Sequence, residues 1–225
     1  MGVTVSCPRC GGPVRPPDSL DGEWRCDRCG PGPPLHLPAE INTAILRAVV
    51  ATLASDQEPL PLWCPWPLPE GWTLTGVGWV GDDHSGARAT VLASSGPAPL
   101  TGGPADLLLI AEAPGTGLAN RYAGLGARDP GPLLTEAMAG QPAHAKPRVD
   151  RHPTPLWSVP SAPECSTYIG EARGLWMVAV TWPANAGYLL AEDLTLQDLV
   201  DWSPGELVFG APTTRLRGGA GLPPG

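Results

Sequence analysis

Cys7-Pro8-Arg9-Cys10 and Cys26-Asp27-Arg28-Cys29 are two C-x-x-C pairs with 15 residues between them. Two residues between thiolates let one tight turn offer both sulfurs to the same ion, and two such turns complete a tetrahedron. Gly11, Gly12 and Gly30 follow the pairs, where the chain must turn with positive φ. Disulfides would require an oxidising compartment, and a redox C-x-x-C expects a βαβ context that is not found around either pair. The expectation is a structural zinc ion held by Cys7, Cys10, Cys26 and Cys29. All four positions are sulfur, so no coordination position is left open for catalysis.

A second polar constellation is Asp82, Asp83 and His84 on one turn, with His144, Lys146 and His152 on a long loop. Two carboxylates and an imidazole could bind a second metal or shuttle a proton. The alternative is ordinary turn chemistry, with Asx side chains bonding the backbone. Trp63, Trp66 and Trp72 lie within ten residues, among three prolines that exclude a helix or a central strand. They could stack a ligand or seal one side of a sheet. Cys64 and Cys165 lack metal spacing and read as small core residues.

Other catalytic patterns fail. Gly76-Val77-Gly78-Trp79-Val80-Gly81 satisfies G-x-G-x-x-G, but it sits inside an expected strand, and Thr101 stands where the dinucleotide fingerprint needs an acid. There is no Walker A loop, no H-E-x-x-H and no G-x-S-x-G.

Charge narrows the partners. The 225 residues carry 22 acidic and 14 basic side chains, a net charge of −8. That is a poor match for phosphate backbones, and the cysteine segment itself balances Arg9, Arg15, Arg25 and Arg28 against Asp18, Asp21, Glu23 and Asp27. No apolar run reaches the roughly 18 residues of a membrane span. The start, M-G-V-T-V-S, has no basic n-region or apolar h-region, which makes the cytoplasm the expected compartment. Thirteen of the 14 basic residues are Arg and nine of the 13 aromatics are Trp, a bias toward GC-rich codons that points to a high-GC bacterial genome.

The elements that must position these residues follow from periodicity. A helix is expected over 38–54, with Ile41, Ile45, Leu46, Val49, Val50 and Leu53 on one face. Strands are expected at 72–80, 87–94, 106–113, 156–159, 168–171, 174–182 and 188–190, joined by short turns that make neighbours antiparallel. Further helices are expected over 117–125 and 195–202, and a long loop over 139–155. The expected class is therefore α+β: an N-terminal four-cysteine zinc ribbon, then a domain with an antiparallel sheet covered by a few helices. The division is a ribbon over 1–35, a linker and amphipathic helix over 36–58, the sheet domain over 59–209 and a disordered Gly/Pro-rich tail over 210–225.

The cysteine head, W-P-L-P-E-G-W, G-D-D-H-S-G-A-R-A-T, R-Y-A-G, P-T-P-L-W and G-E-A-R-G-L-W together resemble an uncharacterised family of high-GC, actinobacterial zinc-ribbon-headed proteins. The family has no established activity to carry over. Residues 66–202 are more weakly similar to lipoprotein-type antiparallel sheet domains, which hold an apolar ligand or a protein partner.

The expected function is a non-enzymatic module that binds a protein, itself included, or an apolar small ligand along the edge formed by Trp63, Trp66 and Trp72. The rival is a small metal-assisted hydrolase or transferase using Asp82, Asp83 and His84. Nucleic-acid binding comes third, disfavoured by charge.

Overall fold

A computed structural model describes residues 2–18, 22–126 and 129–218. In chain order its strands are β1 (Val3–Ser6), β2 (Arg25–Cys26), β3 (Gly30–Pro31), β4 (Leu35–Pro38), β5 (Trp63–Pro65), β6 (Thr73–Asp82), β7 (Gly86–Pro97), β8 (Pro104–Glu112), β9 (Arg148–Val149), β10 (His152–Pro153), β11 (Trp157–Val159), β12 (Ser166–Ala172), β13 (Leu175–Trp182) and β14 (Thr195–Asp198). The helices are α1 (Thr43–Ala54), α2 (Leu118–Ala123), α3 (Gly131–Gly140) and α4 (Arg215–Gly218), with a 3₁₀ helix over Ala184–Ala191.

Among the described residues, eight strands form one antiparallel sheet in the order β1-β4-β6-β7-β8-β13-β12-β11. A smaller sheet runs β10-β9-β14-β5, and β2 pairs with β3. The centre of the large sheet is apolar on both faces. Leu108, Ile110, Val178 and Val180 pack with α2 on one side. Leu107, Leu109, Met177 and Ala179 pack with Trp63, Trp72 and the 3₁₀ helix on the other. Covering both faces is why Leu107-Leu108-Leu109-Ile110 reads as a continuous apolar run rather than an alternation. A third cluster forms where Ile45, Leu46, Val49 and Leu53 of α1 meet Leu74, Val77 and Leu92.

The structure corrects the expected α+β class. Strands hold 36% of the residues and helices 19%, so the fold is mainly β. Two local competitions explain the difference. The helix expected over 195–202 begins instead as β14, because Leu196 pairs against Pro65 and the alternation Leu194, Leu196, Asp198 buries one face. The helix expected from Pro38 starts at Thr43. Leu35–Pro38 is consumed by pairing with β1 and β6, and Asn42 then caps α1 by accepting a 3.0 Å bond from the Ile45 N–H. Such a cap contributes about 1 kcal/mol.

Smaller differences follow the same logic. The stretch read as a strand at 188–190 is the end of the 3₁₀ helix. The expected loop over 139–155 contains the end of α3 and the short strands β9 and β10. Helix α3 has Pro132 in its first turn, where no N–H is needed. Of the Gly/Pro-rich tail, residues 210–218 lie within the described chain: Leu216 is buried, and its carbonyl accepts a 2.9 Å bond from the Tyr122 hydroxyl. Residues 219–225 lie outside the described residues. The literal G-x-G-x-x-G belongs to β6. A Cβ at Gly78 would stand 2.5 Å from Leu37 Cδ2, and one at Gly81 would stand 2.7 Å from the Gly86 carbonyl. Those glycines permit close strand and side-chain packing, not phosphate binding.

Candidate metal centre and the cleft beside it

Strand β1 delivers Cys7 to the first turn. There the Gly11 N–H donates to the Cys7 carbonyl at 2.9 Å, and the Cys7 N–H donates to the Gly12 carbonyl at 2.9 Å. Gly11 has φ +71°, and a side chain there would meet the Arg121 guanidinium at 3.1 Å. The second turn is the β2–β3 hairpin, with Gly30 at φ +79°. The four thiol sulfurs lie within 4.8 Å of one another, and those of Cys10 and Cys26 are 3.6 Å apart. Metal–sulfur bonds of ~2.3 Å in a tetrahedron place sulfurs roughly 3.8 Å apart, so the donor set fits a tetrahedral thiolate-bound ion. Among the described residues it is the one group of three or more His, Cys, Asp or Glu ligands that could share an ion.

Protein electrostatics alone do not ionise this set evenly. Burial pushes the Cys7 thiol up. Burial also opposes ionisation of Cys26, but the Arg28 and Cys29 N–H groups and the thiols of Cys10 and Cys7 outweigh it and bring Cys26 down to about 7. At Cys29, burial and then the neighbouring Cys10 and Cys7 raise the thiol to about 12. A cation removes that conflict, because a coordinating thiol is deprotonated outright.

Two arginines fasten the turns. Arg9 reaches from the first to the second, donating to the Cys29 carbonyl and, at 2.7 Å, to the Pro31 carbonyl. Arg121, buried on α2, donates to the Cys7 carbonyl at 3.2 Å and to Ser6 Oγ at 3.3 Å. The exposed Arg15–Asp27 pair at 2.6 Å adds little, since surface ion pairs contribute at most about 1 kcal/mol.

Beside the centre lies a cleft of about 640 Å³. Its lining takes in Pro17, Gly22 and Trp24 of the cysteine segment, the end of α1 and the β6–β7 turn. His36 and Trp79, cross-strand partners on β4 and β6, are stacked with centroids 4.8 Å apart and planes 14° apart. His36 Nε2 lies 3.0 Å from the Gly81 carbonyl. Burial holds this imidazole below its ordinary range, against the Gly81 bond and the Asp82 and Asp83 carboxylates, which pull it up.

A family model described as a family of unknown function, DUF6758, matches residues 1–216, which takes in both cysteine pairs and both sheets. The chain belongs to that family. No curated protein and no solved structure matches it. Among the described residues, no helix is long and apolar enough to cross a membrane.

The other residues singled out in the sequence fall in separate places. Asp82 Oδ1 accepts from the His84 N–H (3.0 Å), the Ser85 N–H (2.7 Å) and Ser85 Oγ (2.9 Å), the geometry of an Asx turn. Asp82, Asp83 and His84 line the cleft; His144 and His152 do not. His144 instead bridges Gln141 Oε1 at 2.9 Å and the Ser158 N–H at 3.2 Å, and His152 is exposed on β10. Trp63 and Trp72 are buried, Trp63 under the Arg173 guanidinium at 5.0 Å and Trp72 donating from Nε1 to the Pro97 carbonyl at 3.2 Å. Trp66 meets Trp202 edge to face at 6.3 Å. Trp63 and Trp72 therefore pack inside the fold, whereas Trp66 is half-buried beside the exposed Trp202. Cys64 is a core thiol, pushed up to about 12 by burial. Sequence reasoning missed Arg121, Asp56, Trp24 and the His36–Trp79 pair. For the last, the signal was present in the cross-strand alternation of Trp79, but its partner lies 43 residues away.

Proposed function

We propose that this protein is a non-enzymatic binding module in which a structural zinc ion holds the cysteine turns against the β-sheet body, so that the two together shape the cleft that receives its ligand or partner. Zinc suits four thiolates in a tetrahedron without redox chemistry, and a closed set of four cysteines supports folding rather than catalysis. The observation that carries the reading is the construction of the cleft. Trp24, two residues before Cys26, lines it together with His36 and Trp79 from the large sheet. Fixing the second cysteine turn therefore fixes one wall of the cleft.

The test is metal analysis of the purified wild type and of the Asp82→Ala/Asp83→Ala/His84→Ala variant. One zinc per chain in both proteins is the expected result. Two metals in the wild type, falling to one in the variant, would replace the binding module with a metal-assisted enzyme. No zinc in either would overturn the proposal.

A further inference from the structure

We infer that the cleft recognises an organic cation, a guanidinium or ammonium group on an apolar stem, seated over the His36–Trp79 stack and paired with the carboxylates of Asp56, Asp82 and Asp83. The inference rests on the binding-module reading above and names the class of ligand for that same cleft.

Charge and shape both select this class. Among the described residues that line the cleft, three are aspartates and none is a lysine or arginine. Two of the carboxylates are held in place by the backbone and keep an oxygen for a ligand. Asp56 Oδ2 accepts from the Ala87 N–H at 2.8 Å, and Asp82 Oδ1 takes the three bonds of the turn. Asp83 is exposed at the rim. An anion would meet three like charges, and a purely apolar ligand would strip water from the carboxylates with nothing in exchange. A compact metal ion is a poor occupant as well, because these aspartates do not gather closely enough to share one.

The aromatic surfaces complete the selection. Trp79 and His36 stack with their planes 14° apart, and Trp24 and Trp79 are both half-buried on the cleft lining. A cation within about 6 Å of an indole face gains electrostatic attraction, more so when partly desolvated. A guanidinium combines that stacking with a bidentate hold on a carboxylate. The volume of about 640 Å³ lies in the range of small-molecule sites, with room for an arginine side chain and its flanking peptide groups. The net charge of −8 draws cations toward the molecule as a whole.

The probes are N-acetyl-arginine amide, a Gly-Arg-Gly peptide with blocked ends and, as the neutral isostere, N-acetyl-citrulline amide. Each is titrated into the full chain while the tryptophan indole N–H resonances are followed by NMR, with zinc content measured on the same sample. Saturable shifts of Trp24 and Trp79 with the arginine probes are expected. Their affinity should fall about threefold to tenfold in Asp83→Asn and in Trp24→Leu, and citrulline should cause no saturable shift. Tighter binding of the peptide than of the amide would assign the cation to a partner chain, and equal binding would assign it to a free small molecule. Equal binding of citrulline, or no saturable shift with either arginine probe, would overturn the inference. If zinc is then present at one per chain, the module itself stands. If zinc is absent while arginine binds, the zinc proposal falls and the cation site stands.

Discussion

Arg121 on α2 donates from Nη1 to the Cys7 carbonyl at 3.2 Å across 114 residues of sequence. The same carbonyl accepts the Gly11 N–H that closes the first cysteine turn. One oxygen thus joins the four-cysteine cluster to the helix packed on the large sheet, and the guanidinium that reaches it is itself buried.

Arg121→Ala should therefore loosen the cysteine turns without touching a ligand sulfur. Removing a buried charged donor leaves the Cys7 carbonyl and Ser6 Oγ without it, a loss of about 2–3 kcal/mol. Denaturant unfolding should show that loss. A competition assay with a chromophoric chelator should show faster metal release than from wild type, at unchanged metal stoichiometry.

Arg173 makes a second long-range junction. It sits at φ +55° in the turn between β12 and β13 and pairs with Asp150 at 2.7 Å, Asp198 at 2.8 Å and Asp201 at 3.0 Å. The Asp198 side chain is only 3% exposed, and burial raises its pKa even though the Leu62 and Val200 N–H groups and Arg173 oppose the rise. Arg173→Ala strands a buried carboxylate, which costs about 3–5 kcal/mol when the pair is fully enclosed. Arg173 is 35% exposed, so the expected loss is nearer about 2–3 kcal/mol. Thermal or denaturant unfolding checks the loss, and combining it with Asp198→Asn should recover part of it.

Glu112 supplies a pH dependence. It lies on β8, fully buried, with Oε2 accepting the Ala119 N–H of α2 at 2.7 Å and Oε1 unpartnered. Burial raises its carboxyl to about 7, against the N–H groups of Ala119, Gly117 and Leu118. Between its unfolded value near 4.5 and about 7 the native state holds the extra proton. The stability contribution is therefore fully present below about pH 4.5 and is lost as pH rises through 7. The swing is about 3 kcal/mol. Glu112→Gln should flatten stability over that window, as followed by denaturant midpoints from below pH 4.5 to above pH 7.

The elements that were legible in the sequence are those whose signal is local. The apolar face of α1 was readable from Ile45, Leu46, Val49 and Leu53, and the strands β6, β7, β8 and β13 from their runs and turns. The helix boundary at Asn42 was misread because Leu35–Pro38 has a second use, as the strand between β1 and β6. The same competition turned the expected helix over 195–202 into β14 and moved the fold from α+β to mainly β. At the candidate site, the cysteines were readable from spacing. The turn at Asp82, Asp83 and His84 was recognised, though its neighbours Asp56 and Trp24 were not.

By itself, then, the sequence determined what depends on a few neighbouring residues: two C-x-x-C turns, the Asx turn at Asp82, the amphipathic face of α1, and an overall charge hostile to phosphate backbones. Tertiary structure decided everything that needs a partner far along the chain. Cross-strand register stacked His36 on Trp79, helix docking brought Arg121 to Cys7, and the cysteine segment put Trp24 on the lining of the same cleft as Asp56. The physical reason is that local geometry follows from covalent spacing and backbone preference. Long-range pairing is selected by burial summed over the whole sheet, and that sum is not written at any one position.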